Sequence, residues 1–168
     1  MSQSLPDMLM RDAGKPASGR RPEQQARRTR RQSADALASV PMFLDFSKRH
    51  LIRLAAETDE LIFEPGQIIV REGDPGEALF VVLRGQGKVV RGKRKVAEVV
   101  PGDFFGELSA IDGEPRTASV VAETPMQLLR LFRHTLTSLL RDEPQVITKL
   151  LDGIVRRVRE VENRTPTD

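Results

Sequence analysis

The stretch GDFFGELSAIDGEPRTASV, residues 102–120, carries the most specific pattern in this chain. Gly102 and Gly106 permit a tight turn from a strand into a helix. The segment after Gly106, residues 107–111, is long enough for one helical turn. The first N–H groups of a helix have no partner within it and lie at the positive end of its dipole, so this turn predicts an anion site. Arg116, nine residues after Glu107, has a planar guanidinium that matches two phosphate oxygens.

This combination of groups suits one class of ligand. A carboxylate beside an arginine and amide donors can hold a small molecule that has both a phosphate and sugar hydroxyls, because Glu107 can accept from a hydroxyl while Arg116 holds the negative charge. The alternative interpretation is that Glu107 and Arg116 pair with each other across a surface loop, as acidic and basic side chains often do.

On both sides of this stretch the chain consists of short runs rich in β-branched residues, separated by Gly and Pro turns. The runs are residues 61–63, 67–71, 78–84, 87–91, 95–100, 118–122 and 126–132. Short runs at regular spacing predict an antiparallel sandwich or barrel. Residues 103–117 lie between two of these runs and show no strand pattern of their own.

Helices are predicted before and after the strands. Residues 34–40 form a short one that stops at Pro41, and a second begins with Ser47 as its N-cap. Residues 135–140 form a third, and a long helix follows Pro144 to about Glu162. That last helix has an apolar stripe, which predicts packing on the barrel or on a second copy of the chain; the stripe consists of Ile147, Leu150, Leu151, Ile154, Val158 and Val161.

Composition excludes several classes of chemistry. The chain has no Cys, which rules out disulfides, thiolate zinc sites and cysteine nucleophiles. Its two histidines, His50 and His134, are far apart in sequence, so a histidine metal site or a Ser-His-acid triad is not expected. No apolar run is long enough for a membrane span, and no secretory signal is recognisable, so we expect a soluble, cytoplasmic protein.

The basic charge is concentrated in a tail. Residues 1–34 hold eight of the 27 basic and three of the 24 acidic residues, a net charge of +5, which leaves a net charge of −2 for the rest. Residues 1–33 have few apolar side chains, so we expect them to be disordered, and residues 163–168 likewise. The cluster at residues 27–31 could bind nucleic acid or an acidic partner, but a solvated arm or a transit peptide would have a similar composition.

The motif FGELS at residues 105–109, followed by PRTA at 115–118, resembles the phosphate-binding cassette of the cyclic-nucleotide-binding domain family. This family includes bacterial catabolite activators and the regulatory subunits of cyclic-AMP-dependent protein kinase. The resemblance extends over residues 34–162. It implies a mainly β domain with flanking helices, built as an eight-stranded antiparallel jelly-roll (double-stranded β-helix) barrel, and it favours ligand binding over a mutual ion pair.

The resemblance also implies a role for each cassette residue. Glu107 would accept from the ribose 2′-hydroxyl, and Arg116 would hold the exocyclic oxygens of the cyclic phosphate. Thr117 could add a hydroxyl to the phosphate or to the purine edge. The backbone cap of the phosphate would come from Gly106, Leu108 and Ser109.

Two departures from the family pattern concern the helices. The family usually has a bulkier aliphatic residue where this chain has Ala110, which predicts weaker transmission of the signal. Catabolite activators read adenine with a pair of hydroxyl residues on the C-terminal helix, where this chain has Val161 and Glu162. From the few residues after 162, we expect no helix-turn-helix.

The function expected from the resemblance is recognition and not catalysis. The chain would bind a cyclic purine nucleotide, with cyclic AMP favoured over cyclic GMP, and signal occupancy by movement of its C-terminal helix. It would act as a stand-alone regulatory module on an unidentified effector protein, or as a homodimer through helix 144–162. The alternatives are a transcription regulator that contacts nucleic acid through the tail and a degenerate interaction domain. Residues 30–33, Arg-Arg-Gln-Ser, resemble the inhibitor site of kinase regulatory subunits, which an Arg-rich tail would also produce by chance.

Overall fold

The computed structural model describes residues 34–164. Within this range residues 34–38 are helical and Pro41–Phe43 form a single 3-10 turn. The remaining helices there are α1 (Lys48–Ala56), α2 (Glu107–Asp112), α3 (Arg133–Asp142) and α4 (Gln145–Arg164). The strands there are β1 (Asp59–Phe63), β2 (Ile68–Val70), β3 (Ala78–Arg84), β4 (Gly87–Arg91), β5 (Arg94–Val99), β6 (Phe104–Phe105), β7 (Ser119–Ala122) and β8 (Met126–Phe132).

The strands form two four-stranded sheets. The first has the order β1-β8-β3-β6 and the second the order β2-β7-β4-β5, and every described pairing is antiparallel. Consecutive strands therefore leave one sheet for the other at most connections, which is the strand order of a jelly roll. The predicted fold class, mainly β with flanking helices, is confirmed.

The bounds of the strands and helices agree with the sequence prediction except at some of their first or last residues. The predictions for β3, β4 and β8 match the observed bounds, and the others differ by one or two residues. The structure adds β6, whose Phe105 pairs with Phe80 of β3. A strand of two residues has no period, so only its tertiary pairing defines it. Helix α4 ends at Arg164, two residues after the predicted end of the domain.

Hydrophobic residues are buried in two layers that share β3. Leu79 and Val81 face a layer of helices, whereas Phe80 and Val82 face the second sheet. This alternation follows from the two-residue period of a strand, and it explains why β3 reads as a continuous apolar run.

The helical layer joins the two ends of the described chain. Ser47 caps α1 as predicted, because its side chain accepts a hydrogen bond from the backbone N–H of His50 at 3.2 Å. Leu37 and Phe43 are fully buried in the same cluster as Val146 and Leu150 of α4. The first half of α4 is therefore fixed against the N-terminal segment.

The predictions for residues 1–33 and 165–168 lie outside the described residues. These include the Arg-rich cluster at residues 27–31 and the Arg-Arg-Gln-Ser motif at residues 30–33. Among the helices of residues 34–164, none combines the length and the apolar character that a membrane span requires.

Candidate functional site

A cavity of about 290 Å³ lies between the inner face of the second sheet, α2 and the last turns of α4. Its walls include side chains of the inter-sheet core, such as Phe105 and Val120, which give it an apolar interior. The structure brings together in its lining all six predicted site residues, Gly106, Glu107, Leu108, Ser109, Arg116 and Thr117. Val161 and Glu162, which replace the hydroxyl pair that reads adenine in catabolite activators, line it as well.

Gly106 forms the turn from β6 into α2. Its φ of 79° lies in the left-handed region, where a residue with a Cβ is strained, and it is the N-cap of α2. Because this turn is so tight, Glu107 becomes the first residue of the helix and is buried at its N-terminus. Ala110 is buried one turn further on, in the helical layer.

Arg116 is held in a slot made of backbone. It is 7% exposed, and its Nη1 and Nη2 donate to the carbonyl oxygens of Gly106 at 3.1 Å and Ala78 at 2.9 Å. A Cβ on Gly76 or on Gly106 would come closer than 3.0 Å to the guanidinium. The absence of side chains at both glycines therefore makes room for this arginine.

The charge of Arg116 has no carboxylate partner in direct contact. Among residues 34–164 no acidic side chain lies within 4.0 Å of its nitrogens, so the alternative of an ion pair between Glu107 and Arg116 is not what the structure shows. Burial lowers the pKa of Arg116 from its ordinary value, and the nearby charge of Glu107 partly opposes this. An anion in the cavity would relieve the burial cost.

Glu107 has another partner, which sequence reasoning missed. Nη1 of Arg157, on α4, donates to both carboxylate oxygens at 2.7 and 2.9 Å, and Nη2 of the same side chain donates to the carbonyl of Phe104. The side chain of Glu107 is 5% exposed and that of Arg157 27%. The ion pair therefore joins the cassette, residues 106–117, to α4 in the lining of the cavity.

The sequence contains only a weak signal for Arg157. It follows Leu150 by seven residues, so it falls on the buried face of α4, where an unpaired charge would be unfavourable. This position indicates that Arg157 needs a partner. It does not indicate which one, because Glu107 is 50 residues away in sequence.

Close contact at Gly153 brings α4 against the cassette. A Cβ at this position would come closer than 3.0 Å to the ring of Phe104. The guanidinium of Arg157, one turn later, lies over the same ring at 5.4 Å from its centroid. The small residue and the arginine thus place one face of α4 on β6 and α2.

The remaining wall comes from the second sheet. Arg91 of β4 lines the cavity, and its Nε donates to the carbonyl of Thr117 at 3.3 Å. Val89, Ala97 and Val120 form the apolar part opposite α4. No group of three or more acidic or histidine side chains within residues 34–164 is placed to hold a metal ion. The cavity has a cationic end, a carboxylate acceptor and an apolar slot, and these suit a ligand with a phosphate, a hydroxyl and a flat ring.

Comparison with known proteins points to the same class of ligand. The family model described as "Cyclic nucleotide-binding domain" matches residues 60–143. A cAMP-dependent protein kinase regulatory subunit of Hypocrea atroviridis is 32% identical over 132 residues, which cover 77% of this chain and 26% of the relative. A CRP-like cAMP-activated global transcriptional regulator of Mycobacterium tuberculosis is 29% identical over 134 residues, covering 77% of this chain and 60% of the relative.

A solved structure extends the likeness to three dimensions. A cyclic nucleotide-binding domain from Methylobacillus flagellatus superposes with a TM-score of 0.69 at 29% identity, and the match covers 84% of each chain. The chain spans about a quarter of the kinase subunit and three fifths of the transcriptional regulator. The first relative is a regulatory subunit and the second a transcriptional regulator. With a family model that matches half of its residues, this chain belongs to the cyclic nucleotide-binding domain family.

Proposed function

We propose that the cavity binds a cyclic purine nucleotide, with the phosphate at Arg116. The observation that carries this proposal is the buried guanidinium, which borders the cavity without a carboxylate partner among the described residues and next to the first turn of α2. Two of its nitrogens are anchored to carbonyls, and its remaining N–H groups can donate to exocyclic phosphate oxygens. Backbone N–H groups around Gly106, Leu108 and Ser109 complete the phosphate cap.

Glu107 is proposed to accept a hydrogen bond from the ribose 2′-hydroxyl. A carboxylate has about four acceptor positions, so Glu107 can receive this hydroxyl and still hold Arg157. The nucleotide would therefore sit between the cassette and α4, and it would contact the carboxylate that already joins the two.

The apolar slot would hold the purine, and we propose cyclic AMP as the favoured ligand over cyclic GMP. Both relatives described above have cAMP in their names, and the titrations below with both nucleotides test the preference. Thr117 is compatible with either base. Val161 and Glu162, at the end of the slot, would lie beside the purine edge.

Calorimetric and thermal-shift titrations of the full chain with cyclic AMP and cyclic GMP test the proposal. At a hundredfold excess over the Kd, ligand binding stabilises the folded state by about 2.7 kcal/mol, so the melting temperature should rise by several degrees. Linear 5′-AMP, which lacks the cyclic phosphate, is the control and should give a smaller shift. Absence of any shift with either cyclic nucleotide at millimolar concentration would leave an interaction-only domain as the better account.

We further propose that occupancy is reported by α4. This helix contributes wall residues to the cavity and touches the cassette through Gly153 and Arg157, so a ligand between them changes the contacts of both. Hydrogen exchange of the full chain tests this. Amides in the second half of α4 should exchange more slowly with the nucleotide bound, whereas those of α1, on the far layer, should not change.

Helix α4 also offers a candidate surface for a partner. Four of its apolar side chains, Ile147, Leu151, Val155 and Val158, are 44–55% exposed and form one stripe beside the buried face. We propose that this stripe pairs with that of a second copy in a cytoplasmic homodimer. Light scattering should show a dimer that Leu151→Glu dissociates and Lys149→Glu, on the opposite side of α4, leaves intact. A wild-type chain that stays monomeric at high concentration would contradict this.

A further inference from the structure

A second, shallow groove lies on the exposed face of α3, away from the nucleotide cavity. Its lining contains two arginines, one histidine and one acidic side chain, and it consists of Glu77, Phe132, Arg133, His134, Thr137, Ser138 and Arg141. Neither Arg133 nor Arg141 has a carboxylate within 4.0 Å among residues 34–164. Since residues 35–168 carry a net negative charge, this groove is a local basic surface on an acidic body.

Apolar and aromatic groups lie beside the basic ones. Phe132 is 37% exposed, and the guanidinium of Arg130 lies over its ring at 4.8 Å from the centroid. The ring of His134 is stacked near the same phenyl group, with centroids 6.4 Å apart. Ile111, whose carbonyl contacts Arg133, is 47% exposed. Exposed aromatic residues and arginines together are typical of the energetically important parts of protein interfaces.

The groove is directly connected to the cassette. Nη2 of Arg133 donates to the carbonyl of Ile111, in the last turn of α2, at 3.1 Å. A Cβ on Gly113, where α2 ends, would lie 3.0 Å from Nη1 of the same side chain. The backbone N–H of Arg133 donates to the carbonyl of Glu77 at 2.7 Å. These contacts join Arg133, one wall of the groove, to the end of α2.

We propose that this groove binds an acidic, partly apolar segment of a partner protein, through Arg133, Arg141 and the exposed ring of Phe132. A protein segment is favoured over a nucleic acid because Arg130 and His134 already lie against the ring of Phe132, where a base would stack, and phosphates would leave the exposed Ile111 uncovered. Dependence of this binding on nucleotide rests on the proposed function of the cavity; the docking itself does not.

The test is an NMR titration of the full, isotope-labelled chain with a short synthetic peptide that repeats Asp-Glu-Leu. The expected shifts concentrate on residues 132–141 and 111–113. In the double variant Arg133→Gln/Arg141→Gln the peptide Kd should rise about fivefold to tenfold, because two exposed ion pairs with the peptide are lost. The matched control, Arg53→Gln/Arg94→Gln, removes the same charge from distant exposed positions and should keep the wild-type Kd.

Several outcomes would overturn the proposal. These are shifts confined to residues 1–33, equal losses in the two double variants, or the same α3 shifts from inorganic phosphate or a DNA oligonucleotide at equal concentration. If Arg133→Gln impairs folding, the peptide Kd of Arg141→Gln alone tests the proposal, since that side chain has no ion pair among the described residues. The peptide titration is repeated with saturating cyclic AMP. Absence of nucleotide binding would contradict the proposed function and leave the docking result standing, whereas normal nucleotide binding with unchanged peptide Kd would contradict only the coupling.

Discussion

The cassette, residues 106–117, and helix α4 contribute charged groups to the same cavity in opposite ways. Arg116 of the cassette is almost fully buried and is anchored to two backbone carbonyls. Arg157 of α4 is partly exposed, and its main partner is another side chain, Glu107. A partly exposed ion pair between side chains can open at a lower cost than a buried anchor of a guanidinium to backbone carbonyls. Under the proposed function, the cassette is the fixed half of the site, and the second half of α4, which carries Arg157, is the movable half.

Replacement of Arg116 by Lys removes the central group of the fixed half and should have the largest effect. A lysine keeps the charge but lacks the planar fork that reaches two carbonyls and a phosphate together. Each lost hydrogen bond to a charged group contributes about 1.5–3 kcal/mol, so the nucleotide Kd should rise about a hundredfold. Thermal shift with cyclic AMP measures this. Arg53→Lys, on exposed α1, is the control, and a full shift in Arg116→Lys would refute the fixed role of Arg116.

Gly76→Ala tests the same half without changing any charged group. The added Cβ would come closer than 3.0 Å to the Arg116 guanidinium, and the backbone of Gly76 has no left-handed φ that an alanine would strain. The guanidinium must therefore shift, and the nucleotide Kd should rise about tenfold or more because hydrogen-bond geometry is lost. Calorimetry gives the Kd, and Pro75→Ala at the neighbouring exposed position serves as control. Wild-type affinity in Gly76→Ala would show that the space around the Arg116 guanidinium can accommodate the added Cβ.

Arg157→Gln should loosen the contact between α4 and the cassette. The change leaves the Glu107 carboxylate buried without its cationic partner, and since Arg157 is partly solvated we expect a loss of about 1–2 kcal/mol in the free energy of unfolding. Urea unfolding measures it, and hydrogen exchange should show faster opening of α4. The adjacent exposed Arg156→Gln should be neutral.

A double-mutant cycle with Glu107→Gln separates the ion pair from other contacts of Arg157. A coupling energy of about 1 kcal/mol is expected for a side-chain pair of this burial. Additive effects of the two substitutions would mean that the pair does not hold α4 to the cassette, and the distinction between fixed and movable halves would fail.

Gly153→Ala has the smallest expected effect, and its sign is informative. Alanine in place of glycine inside a helix ordinarily stabilises it by about 1 kcal/mol. Here the Cβ would collide with the ring of Phe104, so we expect a net loss of about 1 kcal/mol by urea unfolding. Thr148→Ala, exposed on the same helix, should give the ordinary small gain. Stabilisation by Gly153→Ala would mean that α4 and Phe104 are not in close contact.

The sequence predicted the turn at Gly106 and the placement of Glu107 and Arg116 around one site, because these signals are local. Gly106, Glu107 and Arg116 lie within eleven residues, and both their turn and their chemistry can be read from that segment. The strands β3, β4 and β8 were also predicted with their observed bounds, since Gly and Pro turns delimit them. Short-range backbone chemistry was sufficient for these features.

Features that depend on distant pairing could not be predicted in the same way. The partner of Glu107 is 50 residues away, and strand β6 exists only through its pairing with β3. The glycines that make room for Arg116 and Phe104 read from sequence as turn or helix-weakening residues. Their role depends on which side chain the fold brings opposite them.

Phe105 and Val120 belong both to the core between the sheets and to the wall of the cavity. A purine bound there would touch the same side chains that hold the two sheets together, so it would act as an exchangeable piece of the interior. Mutations that improve packing between the sheets would then compete with the ligand for the same space. A chain selected for greater stability alone should bind the nucleotide more weakly, because larger side chains would already fill the cavity.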